Sequence, residues 1–135
     1  MPLSPQTADT IFNTLVEAMT SLCPPLVITK NKKGVFEIIG NTPVPYGSTK
    51  KIIPGMYFAS AVVRKDMVSF YVFPIYGHPE LFIDVAPSAM KCLKGKTCFN
   101  FKKSEQVNKT EIVALLKKAL AVWKKAGYVK AWNQH

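Results

Sequence analysis

The chain has 135 residues, with 18 Lys and Arg against 8 Asp and Glu, a formal net charge of +10 and 48% hydrophobic residues. A chain of this length can bury enough surface to fold as one domain without disulfides or metal, and its apolar fraction excludes wholesale disorder. Its longest nearly apolar run, residues 56–63, is far shorter than the roughly 20 residues of a membrane span.

The first predicted element is a helix between positions 4 and 22, where apolar residues recur at spacings of three and four. Ser4 suits its N-cap and Pro5 its first position. Residues 26–30 and 35–39 then predict a hairpin. Residues 40–55 are rich in proline and glycine, which predicts a long connection.

Two strong strand candidates follow at residues 56–64 and 67–75. Strict alternation would place Tyr57 with Ala59 on one face and Phe58 with Ser60 on the other. Both faces of these strands are rich in apolar residues. Strands of this kind lie centrally in a sheet and are covered on both sides, so a second cover or a pocket is predicted.

The rest of the chain predicts a fifth strand and a final helix. Residues 77–95 are irregular, and residues 96–102 form the strand. Asn108 and Glu111 resemble a capping box, in which each side chain accepts a hydrogen bond from the other residue's backbone. An apolar stripe follows, and Gly127 is a typical helix end.

The element order is therefore helix, five strands, helix. Hairpin-like connections favour an antiparallel sheet of about five strands, with the N- and C-terminal helices packed on one face. The prediction is a two-layer α+β sandwich. We find no repeat or second domain, so residues 1–135 are expected to form a single domain, with residues 128–135 as a partly frayed tail.

Several segments from Gly55 onward, PGMYFASAVVRKDMVSFYVFPIY, PELF and LKGKTCFNFKK, resemble the YdhG-like family. This is a bacterial α+β domain family of unknown function, sometimes described as frataxin-like. The resemblance covers residues 37–127 and is most specific at residues 93–102. Better-known members carry a Tyr-x-Met-Pro-like segment before the position of Tyr57, where this chain has Pro-Val-Pro-Tyr at 43–46. The resemblance implies the same fold, and together with the residues it leads us to expect a small cytoplasmic domain that is a non-enzymatic binding or interaction module.

An iron chaperone is the alternative that the resemblance offers, because some members of the family have been regarded as one. Iron favours several carboxylates close together. The predicted first helix supplies Asp9 and Glu17, which lie about 12 Å apart along its axis, and the strands add Glu37. This set is too dispersed to chelate one ion. We therefore expect no metal and no cofactor.

Cysteine and histidine are the other candidates for metal binding or catalysis. The three cysteines include no CxxC pair, so neither a disulfide framework nor a structural zinc site is indicated. Cys92, Cys98 and His78 carry ligand types suited to zinc but lack its usual spacing, and Cys98 with His78 could form a nucleophilic pair only if the fold brought the thiol and the imidazole into contact. No phosphate-binding loop is present. We predict that the protein is not an enzyme, and the start of the chain lacks the features of a secretory signal, which favours the cytoplasm.

The basic charge is the remaining signal. Seventeen of the eighteen basic residues are lysines and Arg64 is the one arginine, which makes sequence-specific nucleic-acid recognition unlikely. Weak non-specific nucleic-acid binding remains an alternative, with Tyr57 or Tyr71 as stacking platforms. The competing interpretation is that these aromatic residues belong to the core and that the lysines form a solvated surface.

A ligand site follows from the prediction of a second cover over the sheet. The cover could come from residues 40–55 and 77–95, from a partner subunit in a homo-oligomer, or from a ligand. In the last case a cleft would hold a small anionic ligand. The candidate residues are Tyr57, Tyr71 and a basic ring of Arg64, Lys96 and Lys102.

Overall fold

A computed structural model describes residues 3–95 and 97–130 of the chain. The helices are α1 (Pro5–Thr20), α2 (Pro87–Met90) and α3 (Lys109–Ala126). The strands are β1 (Val27–Lys32), β2 (Val35–Ile39), β3 (Val44–Tyr46), β4 (Lys51–Ile53), β5 (Tyr57–Val63), β6 (Val68–Val72), β7 (Leu93–Lys94) and β8 (Cys98–Phe101).

The main sheet has six antiparallel strands in the order β1-β2-β5-β6-β8-β7. The predicted α+β class, antiparallel sheet and terminal helices are confirmed. The sheet is one strand larger than predicted because β7 has only two residues, too few to show alternation. A small separate hairpin, β3–β4, forms inside the predicted long connection.

Helix α1 begins where the sequence predicts. The hydroxyl of Ser4 accepts a hydrogen bond from the Thr7 backbone N–H at 3.1 Å, and Pro5 occupies the first turn. This side chain satisfies one of the N–H groups that a helix start leaves unpaired. The stripe of residues that α1 buries lies against α3 and against strands β5 and β6.

Helix α3 has half of the predicted capping box. The Asn108 side chain accepts from the Glu111 N–H at 3.1 Å, but the Glu111 carboxylate does not return to Asn108. It accepts instead from the backbone N–H of Ser88 at 2.9 Å and from its hydroxyl at 3.0 Å. Glu111 thus fastens α2 to α3. Gly127 ends the helix in the left-handed conformation, with φ at +87°.

The core lies between the helices and one face of the sheet. Its strand residues include Phe36, Ile38, Ala61, Phe70, Phe99 and Phe101, all nearly or fully buried. The segment after β6 joins the same layer, because Phe82, Ala86 and Ala89 are buried in this core and α2 contacts α3. This part of residues 77–95 therefore covers the helical side of the molecule.

Residues 128–130, which follow α3, pack against the rest of the domain. Val129 is buried, and the side-chain amide of Asn41 exchanges two hydrogen bonds with the backbone of Lys130, at 2.8 and 3.0 Å. An apolar side chain and the Asn41 amide therefore anchor these three residues of the predicted partly frayed tail. Residues 131–135 lie outside the described residues.

The longer helices, α1 and α3, both have a polar side as well as a buried one. Over residues 3–95 and 97–130, none of the helices combines the length and the apolar character needed to cross a membrane.

Candidate binding surface

The face of the sheet turned away from the helices is called the open face below. One row of directly opposed residues crosses it through all six strands, and its members are Lys30, Glu37, Ser60, Tyr71, Cys98 and Lys94. The next row along five of these strands contains Lys32, Val35, Val62, Ser69 and Asn100. Most of these side chains are polar, in contrast to the apolar opposite face.

A β-bulge changes the sides of Tyr57 and Phe58. The pairing of β2 with β5 shifts between Ile38, opposite Ala59, and Ile39, opposite Tyr57. Phe58 is fully buried with its ring against Trp123 of α3, while the Tyr57 hydroxyl meets Ser60 on the open face. The predicted alternation is therefore wrong at this end of β5, because a bulge places one extra residue in the strand and reverses the sides before it.

Arg64 follows β5 and lies back across the open face. Its Nε donates to the Ser69 hydroxyl at 3.0 Å, and its Nη2 donates to the Tyr71 hydroxyl at 2.8 Å. Both partners belong to β6, so two hydrogen bonds fix the direction of the guanidinium. The ion pairs of the described residues do not include Arg64.

The hydrogen bonds continue from Ser69 into β8. The Ser69 hydroxyl donates to Asn100 Oδ1 at 3.0 Å, and the Cys98 thiol donates weakly to the same oxygen at 3.4 Å. Ser69 is only 2% exposed although no helix covers it. The side chain of Arg64, bonded to its hydroxyl, lies over it, so the predicted second cover is formed here by a side chain from the turn between β5 and β6.

Tyr57 lies at the other end of β5. Burial raises the pKa of its hydroxyl from 10.0 to about 12, against the smaller opposing effect of the bond with Ser60. Its ring packs beside Phe73, with centroids 5.9 Å apart. Tyr57 is thus a half-buried residue on the open face that keeps its proton across the neutral range.

A cleft of about 400 Å³ opens beside Tyr57. It lies between the open face and the β3–β4 hairpin, and its lining includes Thr29, Glu37, Tyr46, Ile53, Met56 and Tyr57. Its walls are largely apolar, and its charged lining residue is the acidic Glu37. The β3–β4 hairpin, part of residues 40–55, therefore lies over one end of the open face. These residues are one of the predicted sources of a second cover.

The five predicted ligand-binding residues do not all lie at one site. Tyr57 lines the cleft, and Arg64 contacts Tyr71. Arg64 is not among the residues that line that cleft, although Tyr71, which it contacts, is paired with Ser60, the hydrogen-bond partner of Tyr57. Lys102 is exposed just after β8, at the same end of the sheet as Arg64. Lys96 lies outside the described residues.

Sequence reasoning missed Ser69 and Asn100, the two residues that connect Arg64 to β8. The available signal was their place at alternate positions of predicted strands, which puts polar groups on one face of the sheet. Their mutual contact depends on the pairing of β6 with β8, which single-strand patterns do not give.

The carboxylates of the iron-chaperone alternative do not converge. Asp9 is exposed on α1, and Glu17 pairs with Lys109 of α3 at 3.0 Å. Glu37 lies on the open face, 3.9 Å from the ammonium group of Lys30. Within the part of the chain that the structure describes, no group of three His, Cys, Asp or Glu side chains could hold a metal ion.

The candidate Cys–His pair is also separated. Cys98 is on the open face and contacts Asn100, whereas His78 borders a groove with Val122 and Lys125 of α3 in the helical layer. Cys92 is buried, and burial raises the pKa of its thiol. Among the described residues, no hydrogen bond joins either thiol to a basic side chain that could activate it, although the charge of Lys94 opposes the effect of burial at Cys92.

Comparison of the chain with models of known protein families, with curated proteins and with solved structures gave no significant match. The resemblance to the YdhG-like family stays a prediction from the sequence.

Proposed function

We propose that this protein is a non-enzymatic binding module that takes up an anionic ligand on its open face, at the end where Arg64 and Lys102 lie. A cytoplasmic location and membership of the YdhG-like family are part of this proposal, and both rest on the sequence alone.

The observation that carries the proposal is the guanidinium of Arg64. Ser69 and Tyr71 hold it in one direction, and no carboxylate of the described residues neutralises it. A guanidinium has five N–H donors, of which two are engaged here. The other three can donate to the oxygens of a phosphate or carboxylate in the bidentate geometry that arginine favours.

The charge around Arg64 supports an anion rather than a cation. Lys94 belongs to the open face and Lys102 follows β8, and both side chains are exposed. The acid of the same face, Glu37, has Lys30 beside it at 3.9 Å. A surface with this balance concentrates anions near it.

The separation of Cys98 from His78 supports a binding role over catalysis. A thiol nucleophile needs a base within hydrogen-bond reach. Here the thiol of Cys98 donates to an amide oxygen, and His78 lies on the opposite layer.

The test is calorimetric titration of the full chain with inorganic pyrophosphate, for the unmodified protein and for Arg64→Ala. We expect the variant to bind at least about tenfold more weakly, because a hydrogen bond to a charged group contributes about 1.5–3 kcal/mol. Lys118→Ala is the matched control, since it removes one exposed positive charge from α3. Equal losses in both variants, or no binding by the unmodified protein, would contradict the proposal.

Single-stranded nucleic acid is a second candidate ligand, favoured by the half-exposed Tyr57 and Tyr71 on the open face. Aromatic side chains on an open sheet can stack with bases. A calorimetric titration with oligo-dT distinguishes this candidate from a small anion. This candidate requires affinity that falls steeply with salt and that drops in Tyr71→Ala more than in Tyr71→Phe, which keeps the ring.

A further inference from the structure

Among the described residues, strand β1 is an edge strand of the main sheet with no strand or helix over it. It is the first strand in the sheet order and pairs only with β2, and all six of its residues are exposed. An edge strand presents backbone N–H and C=O groups that have no partner within the sheet, and another extended segment can pair with them. Most proteins cover or shorten such edges, but β1 is as long as a typical strand.

Exposed apolar side chains concentrate near this edge. Val27 and Ile28 of β1 are 43% and 41% exposed, and Tyr46 and Ile52 of the β3–β4 hairpin are 52% and 63% exposed. The cleft beside Tyr57 lies between the two elements, because its lining includes Thr29 of β1 and Tyr46 of β3. A segment added to β1 would therefore run along the mouth of an apolar cleft.

Thr29 links the edge to that cleft. The pairing of β1 with β2 is irregular between Ile28 and Lys30, and the Thr29 hydroxyl donates to the Glu37 carboxylate at 2.8 Å. Beyond Thr29 the pairing with β2 is regular up to Lys32. Residues 30–32 therefore form the regularly paired part of the edge strand, and this part lies directly beside the cleft residue Thr29.

The charge at this edge is strongly basic. Three exposed lysines, Lys30, Lys32 and Lys33, lie in β1 or directly after it, and two more, Lys50 and Lys51, belong to the β3–β4 hairpin, where Lys51 is opposite the cleft residue Tyr46. Edge lysines oppose pairing with an identical strand, because like charges face each other. The net charge of +10 adds to this repulsion between two copies. The same lysines attract a strand that carries acidic residues.

We propose that β1 and the adjoining cleft bind an extended acidic segment of a partner protein. The segment adds a strand to β1, with its carboxylates near Lys32 and Lys51 and one apolar side chain in the cleft. Strand addition of this kind draws affinity from main-chain hydrogen bonds and specificity from pockets that receive alternate side chains. This site is separate from Arg64 and does not depend on the function proposed above.

The experiment measures binding of a fluorescent synthetic peptide that alternates glutamate with valine and phenylalanine, using anisotropy and the full chain. The comparison peptide has the same ends and a proline at its centre, which removes a backbone donor and disrupts pairing. We expect the first peptide to bind, and backbone amides of residues 27–32 to become protected from hydrogen exchange when it does. Equal binding of both peptides would overturn strand addition.

Charge reversal identifies the surface. We expect Lys32→Glu/Lys51→Glu to weaken peptide binding by about tenfold or more, since two attractions become repulsions. Lys117→Glu/Lys118→Glu is the matched control, because it makes the same change of charge on α3. Equal losses in the two variants would mean general attraction by a basic protein and would overturn the site.

Two further results separate the alternatives. In Arg64→Ala the peptide should still protect the backbone amides of β1 from hydrogen exchange, because this protection reports the edge strand alone, so that failure of one proposal does not decide the other. Sedimentation of the protein alone should show a monomer. A dimer that dissociates in Lys32→Glu/Lys51→Glu would make a second copy the occupant of this edge and would overturn the proposed partner.

Discussion

Phe70 and Tyr71 are neighbours in β6, yet they belong to very different environments. Phe70 is fully buried beneath the helices, with Phe99 and Phe101 around its ring. Tyr71 lies half-exposed on the open face and accepts a hydrogen bond from Arg64. The comparison between the two faces of one sheet shows that neighbouring residues of one strand belong to an apolar core and to a polar, hydrogen-bonded surface.

The covered face is stabilised by burial of aromatic and aliphatic side chains, each contributing about 1.5–3 kcal/mol relative to exposure. The open face is held by side-chain hydrogen bonds, whose net contribution is only about 0.5–1.5 kcal/mol each. Residues of the open face can therefore serve a ligand at modest cost to the fold. Substitutions on the two faces should differ accordingly.

The largest effect is expected for Phe70→Ala. Removing a fully buried aromatic ring leaves a cavity beside Phe99, and such changes cost about 3–5 kcal/mol. Urea unfolding measures the loss of stability. Tyr71→Ala is the comparison on the other face, and we expect a clearly smaller loss. Equal losses would show that the open face carries as much of the stability as the core does.

An intermediate effect is expected for Ser69→Ala. Its hydroxyl is buried, accepts from Arg64 and donates to Asn100, and each of these two hydrogen bonds contributes about 0.5–1.5 kcal/mol, since Arg64 is exposed and Asn100 is half-buried. The same urea measurement applies, with the exposed Ser48→Ala as control. A value near zero would mean that Arg64 and Asn100 find water as easily as they find Ser69.

The sequence predicted the covered face better than the open face. Periodicity identifies α1 and α3, because one stripe of each helix meets the core and repeats at regular spacing. Caps at Ser4 and Asn108 gave correct starts, since they act within a few residues. Both kinds of signal are local, and the helices, β5 and β6 are determined largely by such signals.

The contacts on the open face could not be predicted from any one segment of the sequence. The bulge that moves Tyr57 to the open face depends on the pairing of β5 with β2. The contact of Arg64 with Tyr71 depends on the turn that brings the chain back along β6. Glu111 matches a capping box locally, but Ser88 competes for its carboxylate from a distant segment. Residue types indicated candidates, and tertiary pairing decided which of them meet.

The smallest effect is expected from the ionisation of Tyr57, which changes the stability only in the alkaline range. It extends the comparison because Tyr57 belongs to the open face. Its pKa is about 12 in the folded protein against 10.0 when unperturbed. Below pH 10 the hydroxyl is protonated in both states and contributes nothing. Between pH 10 and about 12 the unfolded chain loses this proton while the folded chain keeps it, so the free energy of unfolding falls.

Ultraviolet absorbance of tyrosinate and urea unfolding on both sides of pH 10 measure this difference. We expect Tyr57→Phe to lack the titration step near pH 12 and to lose less stability in the alkaline range than the unmodified protein does. Tyr46→Phe, at a tyrosine that is 52% exposed on the hairpin, should keep that step. If the step survives in Tyr57→Phe, burial on the open face is not what holds the Tyr57 proton, and this face is more open to water than its contacts indicate.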